Sequence, residues 1–201
     1  MITIKNKDIF ELQKELIKDS KYNENIYIVI PTNIGWKKDG YNVMGRGLAC
    51  QCKQKYPKLA KYIGKYYQRE FINSINEEYE YDNDSKLLLF SSNIDKEFRF
   101  ICMPTKALNV NQPYLSWKNN SSLEVIEESC KELDRLFSEQ ILHLRLIDIV
   151  LMPMLGCGNG GLNAKDVYPI LKKYFDKYDN IILLYWTISI TIYRYSYMEF
   201  L

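Results

Sequence analysis

The sequence predicts an α/β domain of three layers, in which a mixed, largely parallel central sheet is flanked by helices. Short apolar runs bounded by turn residues recur along the chain, as is typical of buried strands. Helical patterns separate these runs, and glycine-rich segments follow two of them. In such a sheet the ligand crevice lies beyond the carboxyl ends of the strands. The predicted strands are residues 26–30, 87–90, 98–103, 146–152 and 181–186.

Length and charge limit the domain organisation and the partners. The 201 residues can form one sizeable core, so we predict a single domain over residues 1–201, with a surface insertion at 66–86 and a C-terminal extension at 188–201. The 27 basic and 25 acidic residues give a net charge of +2, too weak a field to imply nucleic acid or an anionic membrane as the main partner. No apolar run reaches ~18 residues, so we expect a cytoplasmic protein without a membrane partner.

The cysteines and the histidine argue against a metal site. The five cysteines are an odd number and contain no C-x-x-C pair, which fits neither a disulfide framework nor a zinc site. The single histidine, His143, lies between two leucines, where a packing role is favoured over a catalytic one. We therefore expect neither a metal nor a cofactor.

Two helices are predicted together with their caps. Apolar residues recur at three- and four-residue spacing between residues 123 and 137, behind a predicted capping box of Ser121 with Glu124. A second helix follows Asn163, which can cap it. Asp166 would lie in the first turn of that helix, where the helix dipole favours an acid.

The first glycine-rich segment spans residues 43–49, Val-Met-Gly-Arg-Gly-Leu-Ala, and follows the strand predicted at 26–30. Gly45 and Gly47 would let the backbone approach an anion without interference from a Cβ atom. The helix that follows would offer free amide groups. Arg46 either adds a charge-assisted contact to a phosphate or points into solvent. On its own, the segment fits a plain turn equally well.

The second segment spans residues 156–162, Gly-Cys-Gly-Asn-Gly-Gly-Leu, between a strand and the helix after Asn163. Four glycines in six residues are costly in chain entropy and predict that a ligand backbone or phosphate passes very close. The same pattern resembles the nucleotide loop of a methyltransferase. A dinucleotide-type fold needs this loop after its first strand, however, and only about 40 residues follow it here, so that interpretation is disfavoured.

Together these segments resemble the macrodomain family, and within it the antitoxin macrodomains that remove ADP-ribose from thymidine in DNA and the related terminal ADP-ribose hydrolases. Residues 43–49 are similar to the family's Val-Met-Gly-x-Gly-Ile-Ala loop, and residues 152–162 to its Pro-x-x-Gly-Cys-Gly-x-Gly-Gly-Leu phosphate loop. Residues 2–10 resemble the family's first strand followed by a Gly-Asp-Ile motif, with Asn6-Lys7 where Gly usually stands. The Asp of that motif binds the adenine amino group, a role that Asp8 would have here. Asp8 as a simple helix cap fits nearly as well.

Further segments extend the resemblance to the distal ribose. Asn33 ends a strand similar to the family's Asn-containing strand, and the insertion between it and Asn42 is longer than in the antitoxins. Residues 103–106, Met-Pro-Thr-Lys, and residues 122–126 are similar to Phe-Pro-Thr-Lys and Ser-x-Leu-x-x-Ile segments, which implies that Lys106 is the catalytic lysine. Tyr185 would stack on adenine or pack in the core. The resemblance implies as ligand-binding residues Asp8, Ile9, Asn33, Asn42, Val43, Met44, Gly45, Arg46, Gly47, Leu155, Gly156, Cys157, Gly158, Asn159, Gly160, Gly161 and Tyr185.

The resemblance also implies a function. It is that of a monomeric ADP-ribosyl glycohydrolase, which removes ADP-ribose from protein or nucleic acid, modified DNA included. Lys106 would act at the distal ribose as a neutral nucleophile or as a cation that stabilises the leaving group. Some relatives pair the lysine with an Asp where this chain has Gly160, so a two-residue mechanism is not predicted. The alternatives are a phosphatase acting on ADP-ribose 1''-phosphate and a non-catalytic reader of ADP-ribose.

A nucleic-acid-binding module is the alternative from a different class. Residues 53–69 interleave Lys, Tyr and Arg, a pattern that nucleic-acid-binding surfaces share. Tyr56, Tyr62 and Tyr66 are better explained as packing a helix. If the substrate were ADP-ribosylated DNA, this segment would still be placed to guide the strand.

Overall fold

The computed structural model describes residues 3–19, 26–75, 89–90, 99–139 and 148–185. Within these ranges the strands and helices alternate along the chain. In order they are β1 (Thr3–Lys5), α1 (Ile9–Lys18), β2 (Ile26–Asn33), α2 (Gly47–Lys55), α3 (Leu59–Ile75), β3 (Leu89–Phe90), β4 (Arg99–Lys106), a 3₁₀-helix (Pro113–Lys118), α4 (Leu123–Ser138), β5 (Ile149–Pro153), α5 (Ala164–Phe175) and β6 (Ile181–Leu184).

The strands form one sheet in the order β1-β6-β5-β2-β4-β3. Five of them are mutually parallel, and β3, at one edge, runs antiparallel to β4. The predicted fold class, a mixed and largely parallel sheet between helices, is confirmed. Because β2 lies in the middle and is covered on both faces, its apolar run is continuous and does not alternate with polar residues.

Two apolar layers lie on the two faces of the sheet. Successive side chains of a strand point to opposite faces, so Ile28 and Ile30 pack against α1, α2 and α3, whereas Val29 packs against α4 and α5. All three side chains are fully buried. Burying one such side chain stabilises the folded state by about 1.5–3 kcal/mol, so this double packing fixes the position of the carboxyl end of β2.

β2 and β4 continue beyond their apolar runs. The apolar runs that predict them end at residues 30 and 103, but Pro31 pairs with Met103 and the ladder continues, with a bulge, until Asn33 pairs with Lys106. Buried hydrogen bonds make this extension possible. Thr32 Oγ1 lies 3.3 Å from the hydroxyl of Tyr67, which satisfies a polar group that would otherwise be buried without a partner.

The helix caps differ from the prediction at one position. Ser122, and not Ser121, caps α4, because its Oγ accepts from the amide of Val125 at 3.5 Å. Ser121 is buried and donates instead to Thr105 Oγ1 at 3.2 Å. The predicted cap Asn163 is confirmed, since its Oδ1 accepts from the amide of Lys165 at 3.1 Å.

The predicted surface insertion begins too early. Residues 66–75 belong to α3, where Tyr67 is only 3% exposed and continues the apolar stripe of Leu59 and Ile63 at four-residue spacing. Residues 76–86, His143 and the extension at 188–201 lie outside the described residues. Among the helices that are described, none is long and apolar enough to cross a membrane.

Candidate functional site

The candidate site lies at the carboxyl ends of the central strands. β2 ends at Asn33, the adjacent β4 ends at Lys106, and β5 leads into the second glycine loop on the other side of β2. This is the edge at which ligands bind in open α/β sheets. The topology therefore brings Asn33, Lys106 and the loop at residues 156–162 to one edge of the sheet.

The first loop ends in a helix that no described side chain caps. α2 begins at Gly47, and the preceding Arg46 is exposed and extended, with φ −146° and ψ 164°. The first amides of a helix have no intrahelical acceptor and carry the positive end of its dipole. Gly47 has φ +59°, and a Cβ atom added at Gly45 would meet nothing within 4 Å. The loop therefore offers free amide groups, and no protein atom lies beside Gly45 to block an anion from reaching them.

The second loop uses its glycines in two ways. A Cβ atom added at Gly158 or Gly161 would meet nothing within 4 Å, and Gly161 has φ +80°. A Cβ atom added at Gly156 would instead lie 2.9 Å from Ser121 Cβ. The exposed glycines leave room beside the loop, whereas Gly156 is required by packing.

Gly160 is also a packing residue. A Cβ atom there would overlap Ser121 Oγ and the carbonyl oxygen of Gly156. The carbonyl of Gly160 also accepts from the amide of Ser121 at 3.0 Å. A side chain at this position would need the loop and α4 to move apart, which is the physical reason why an acid is excluded from it.

The two loops approach each other. A Cβ atom added at Gly47 would lie 3.2 Å from the side-chain nitrogen of Asn159. Both Asn159 and Arg46 are exposed. The two loops are therefore neighbours at Gly47 and Asn159, and both carry an exposed polar side chain there.

Several of the predicted ligand-binding side chains are core residues. Met44 is 2% exposed and Leu155 is fully buried, and both belong to the apolar clusters. Ile9 is buried as well. Cys157 is half-buried, and burial raises the pKa of its thiol to about 12, so it carries no thiolate near neutral pH. For the buried residues Ile9, Met44 and Leu155, only the main chain remains available to a ligand.

Asn33 and Asn42, which the resemblance implies as ligand-binding residues, are both buried and bonded to the main chain around them. Asn42 is 2% exposed, and its Nδ2 donates to the carbonyls of Asn33 at 2.8 Å and Gly35 at 2.7 Å. Asn33 is 6% exposed; its Nδ2 donates to the carbonyl of Val43 at 3.0 Å, and its Oδ1 accepts from the amide of Gly35. The two side chains hold the insertion at residues 34–42 and the first glycine loop against the end of β2.

Lys106 lies partly buried at the end of β4. Its Nζ donates to the carbonyl oxygen of Trp117 at 2.9 Å, and the 3₁₀-helix that carries Trp117 is held by a bond from the amide of Asn109 to Ser116 Oγ. Burial lowers the pKa of Lys106, because removing water penalises the charged amine. A larger fraction of this lysine is neutral than of an exposed one at the same pH.

Asp8 and Tyr185 lie at the other side of the site. Asp8 caps α1, and its Oδ1 accepts from the amides of Phe10 at 2.9 Å and Glu11 at 3.1 Å. No described residue bonds to its second oxygen. The amide of Tyr185 donates to the carbonyl of Lys5 at the end of β1, and its side chain is half-buried. Both residues thus lie at the carboxyl ends of the β1–β6 pair.

Two features of the site could not be predicted from the sequence. Ser121 joins the second loop to β4, through its bonds to Gly160 and Thr105, but a serine before a helix suggests only a cap. The exposure of Trp117 beside Lys106, 43%, depends on the fold of the 3₁₀-helix. Among the described residues there is no group of three or more His, Cys, Asp or Glu placed to hold a metal ion.

No protein-family model matches the chain. A curated protein from Thermosipho africanus, a DNA ADP-ribosyl transferase-DNA ADP-ribosyl glycohydrolase fusion protein, is 25% identical over 150 residues, which are 71% of this chain and 35% of the relative. The chain thus spans about a third of the length of that relative.

Solved structures match the fold over almost the whole chain. The macrodomain of Mycobacterium tuberculosis DarG has a TM-score of 0.60 at 24% identity and covers 94% of this chain and 99% of its own. The macrodomain of Thermus aquaticus DarG has a TM-score of 0.57 at 19% identity, and the match covers 93% of this chain and 98% of that one. Thermosipho africanus DarTG in complex with ADP-ribose has a TM-score of 0.55 at 22% identity, and the match covers 84% of this chain and 39% of that one. The chain has the macrodomain fold.

Proposed function

We propose that this chain binds ADP-ribose in the opening between its two glycine loops and hydrolyses ADP-ribosyl linkages with Lys106. The observation that carries the proposal is the position of a partly buried lysine at the edge of the sheet where both loops begin. The structure of Thermosipho africanus DarTG in complex with ADP-ribose supports the choice of ligand.

Different elements of the protein contact the pyrophosphate, the adenine and the distal ribose of the ligand. The pyrophosphate lies between the amides of residues 45–47 and those of 156–161, where charge and close approach favour an anion. The second carboxylate oxygen of Asp8 accepts from the adenine amino group, and Tyr185 lies beside the base. Asn33 and Asn42 shape the wall of the ribose pocket from behind, because their side-chain nitrogens donate to backbone carbonyls.

Lys106 acts at the anomeric carbon of the distal ribose. Because burial lowers its pKa, we favour attack by the neutral amine, in which the nitrogen bonds to that carbon while the leaving group departs with the electron pair of the broken bond and takes up a proton. Water then hydrolyses the sugar–lysine adduct and regenerates the amine. The hydrogen bond to the carbonyl of Trp117 orients the amine between turnovers.

Turnover of ADP-ribosylated oligonucleotide and of ADP-ribosylated protein tests this role. Lys106→Ala should bind ADP-ribose with nearly the affinity of the wild type while its hydrolysis rate falls at least a hundredfold. Lys106→Arg keeps the charge without a usable nucleophile and should be equally inactive. Lys172→Ala, which removes an exposed lysine of α5, is the matched control. Full activity in Lys106→Ala would refute the assignment.

The same experiment separates the other two functions. Binding of ADP-ribose without turnover of either substrate would identify a reader, a function consistent with the absence of an acid at Gly160. Release of inorganic phosphate from ADP-ribose 1''-phosphate, unaffected by Lys106→Ala, would identify a phosphatase.

A further inference from the structure

One surface of the molecule concentrates positive charge. Residues 46–69, which form α2 and the first two-thirds of α3, contain seven basic residues and no acidic one, so the rest of the chain holds 20 basic and 25 acidic residues. A net charge of +2 for the whole chain therefore conceals a strong separation of charge.

The basic side chains of α3 form a row. Lys61 and Lys65 are exposed and lie four residues apart on one face of α3. The exposed Lys58, in the turn just before α3, precedes Lys61 by three residues and begins the row. Arg69 continues the row but pairs with Glu70 at 3.1 Å. Opposite this face, the side chains of α3 are buried against the sheet. The row is thus a solvated face made almost entirely of cations.

The insertion at residues 34–42, which precedes the first glycine loop, joins this row to the candidate site. The amide of Asn42 donates to the carbonyl of Ala60 in α3 at 2.8 Å, and the ring of Tyr41 lies 5.8 Å from Lys61 Nζ and 5.2 Å from Lys37 Nζ. On the insertion's other side, Gly35 packs so closely against the 3₁₀-helix that a Cβ atom there would overlap the carbonyl oxygen of Pro113. The surface is therefore continuous from α3 across the insertion to the 3₁₀-helix.

Exposed aromatic rings line the end of this surface nearest Lys106. Tyr114 and Trp117 are each 43% exposed, although large aromatic side chains are usually well buried. The main chain of Trp117 bonds to Lys106, and the ring of Trp117 lies 5.8 Å from Lys118 Nζ. Aromatic faces bordered by cations bind unstacked bases and their phosphates, whereas bases within a duplex are not accessible to them.

We propose that this surface, from Lys58, Lys61 and Lys65 across Lys37 and Tyr41 to Trp117, binds single-stranded nucleic acid. Lys58, Lys61 and Lys65 contact the phosphates, and Trp117 stacks on a base; Lys37 is paired with Asp39 at 2.9 Å. The inference goes beyond the proposed function, because it concerns an unmodified strand and holds whether or not Lys106 is catalytic. Its consequence is that a bound strand would pass the opening that contains Lys106.

Fluorescence anisotropy with an unmodified, labelled single strand of about 16 nucleotides tests the surface directly. The triple variant Lys58→Gln, Lys61→Gln and Lys65→Gln should bind at least tenfold more weakly than the wild type. The slope of log affinity against log salt should flatten by about 2, since each neutralised contact to a single strand removes about 0.7. Trp117→Ala should also weaken binding about tenfold, with recovery in Trp117→Tyr.

The matched control neutralises three exposed lysines on other elements, Lys14, Lys165 and Lys172, and has the same net charge as the triple variant. It should bind the strand like the wild type. Equal losses in both triple variants, or equal affinity for duplex and single strand, would overturn the proposal. Displacement of the strand by polyglutamate at equal charge would also overturn it, in favour of an acidic protein partner. Retained thermal stabilisation of the α3 variant by ADP-ribose would show that the cleft is intact.

Discussion

The two glycine loops approach each other at Gly47 and Asn159, but they are built differently. In the first, Gly45 faces open space and leads into α2, a helix without a side-chain cap among the described residues. In the second, Gly156 and Gly160 are packed against Ser121, and the helix that follows is capped by Asn163. Only Gly158 and Gly161 of the second loop face open space.

This difference separates two uses of glycine that look the same in a sequence. The first loop offers the free amides of a helix end, so its contribution to binding depends on the helix dipole. The second loop is a rigid turn whose amides are positioned by close packing on α4. Substitutions in the first loop should therefore affect binding, whereas those at Gly160 should affect folding.

Gly160→Ala should have the largest effect. Its methyl group would overlap Ser121 Oγ and the carbonyl of Gly156, and such overpacking costs roughly 1–3 kcal/mol of the free energy of unfolding. Gly158→Ala, whose methyl group enters open space, is the matched control and should change stability by less than about 0.5 kcal/mol. Chemical denaturation of both variants measures the difference. Equal stabilities would show that the second loop is not fixed by packing.

Gly45→Ala should weaken ADP-ribose binding without affecting the fold. The added methyl group meets no protein atom within 4 Å, but it would occupy the space through which the pyrophosphate passes. We expect a loss of about tenfold in affinity, or ~1.4 kcal/mol, by isothermal titration calorimetry, with an unchanged melting temperature. An unchanged affinity would restrict the anion site to the second loop.

The cap assignments predict smaller changes. Ser122→Ala and Asn163→Ala should each lower the free energy of unfolding by about 0.5–2 kcal/mol, because each removes an acceptor for a helix amide. Glu124→Ala serves as the control, since the capping box expected from the sequence is absent among the described contacts. Its loss should be close to ~0.3 kcal/mol, the contribution of an acid near the dipole. A larger loss at Glu124 than at Ser122 would contradict the structural assignment.

The pH dependence of hydrolysis distinguishes the two roles of Lys106. If the neutral amine attacks, the rate should rise with pH and level off below the usual lysine pKa of 10.5, because burial lowers the pKa of Lys106. ADP-ribose affinity, measured in parallel, should stay nearly constant over the same range. A rate that falls as pH rises would mean that the charged lysine stabilises the leaving group.

The fold class and the glycine loops were predictable because their signals are local. A continuous apolar run such as residues 26–30 indicates a strand covered on both faces, and Asn163 before an apolar stripe indicates a cap. The structure confirmed both. Lys106 was identified only through the resemblance of residues 103–106 to a known segment, and its catalytic role stays a prediction.

The remaining features depend on contacts between distant segments. β2 reaches Asn33 because Thr32 finds a hydroxyl partner in Tyr67, 35 residues away in sequence. Gly160 is fixed by Ser121, which the sequence suggests only as a cap. Asn42 was expected to face the ligand, but it bonds to two backbone carbonyls that only the folded insertion brings within reach.

Thermal unfolding of the wild type with ADP-ribose tests the central claim, that the two loops form an ADP-ribose site. A ligand that binds only the folded state at a hundred times its Kd stabilises it by about 2.7 kcal/mol. We expect a clear rise in melting temperature with ADP-ribose, a much smaller rise with AMP and none with S-adenosylmethionine. No rise with ADP-ribose, or a rise with S-adenosylmethionine alone, would contradict it.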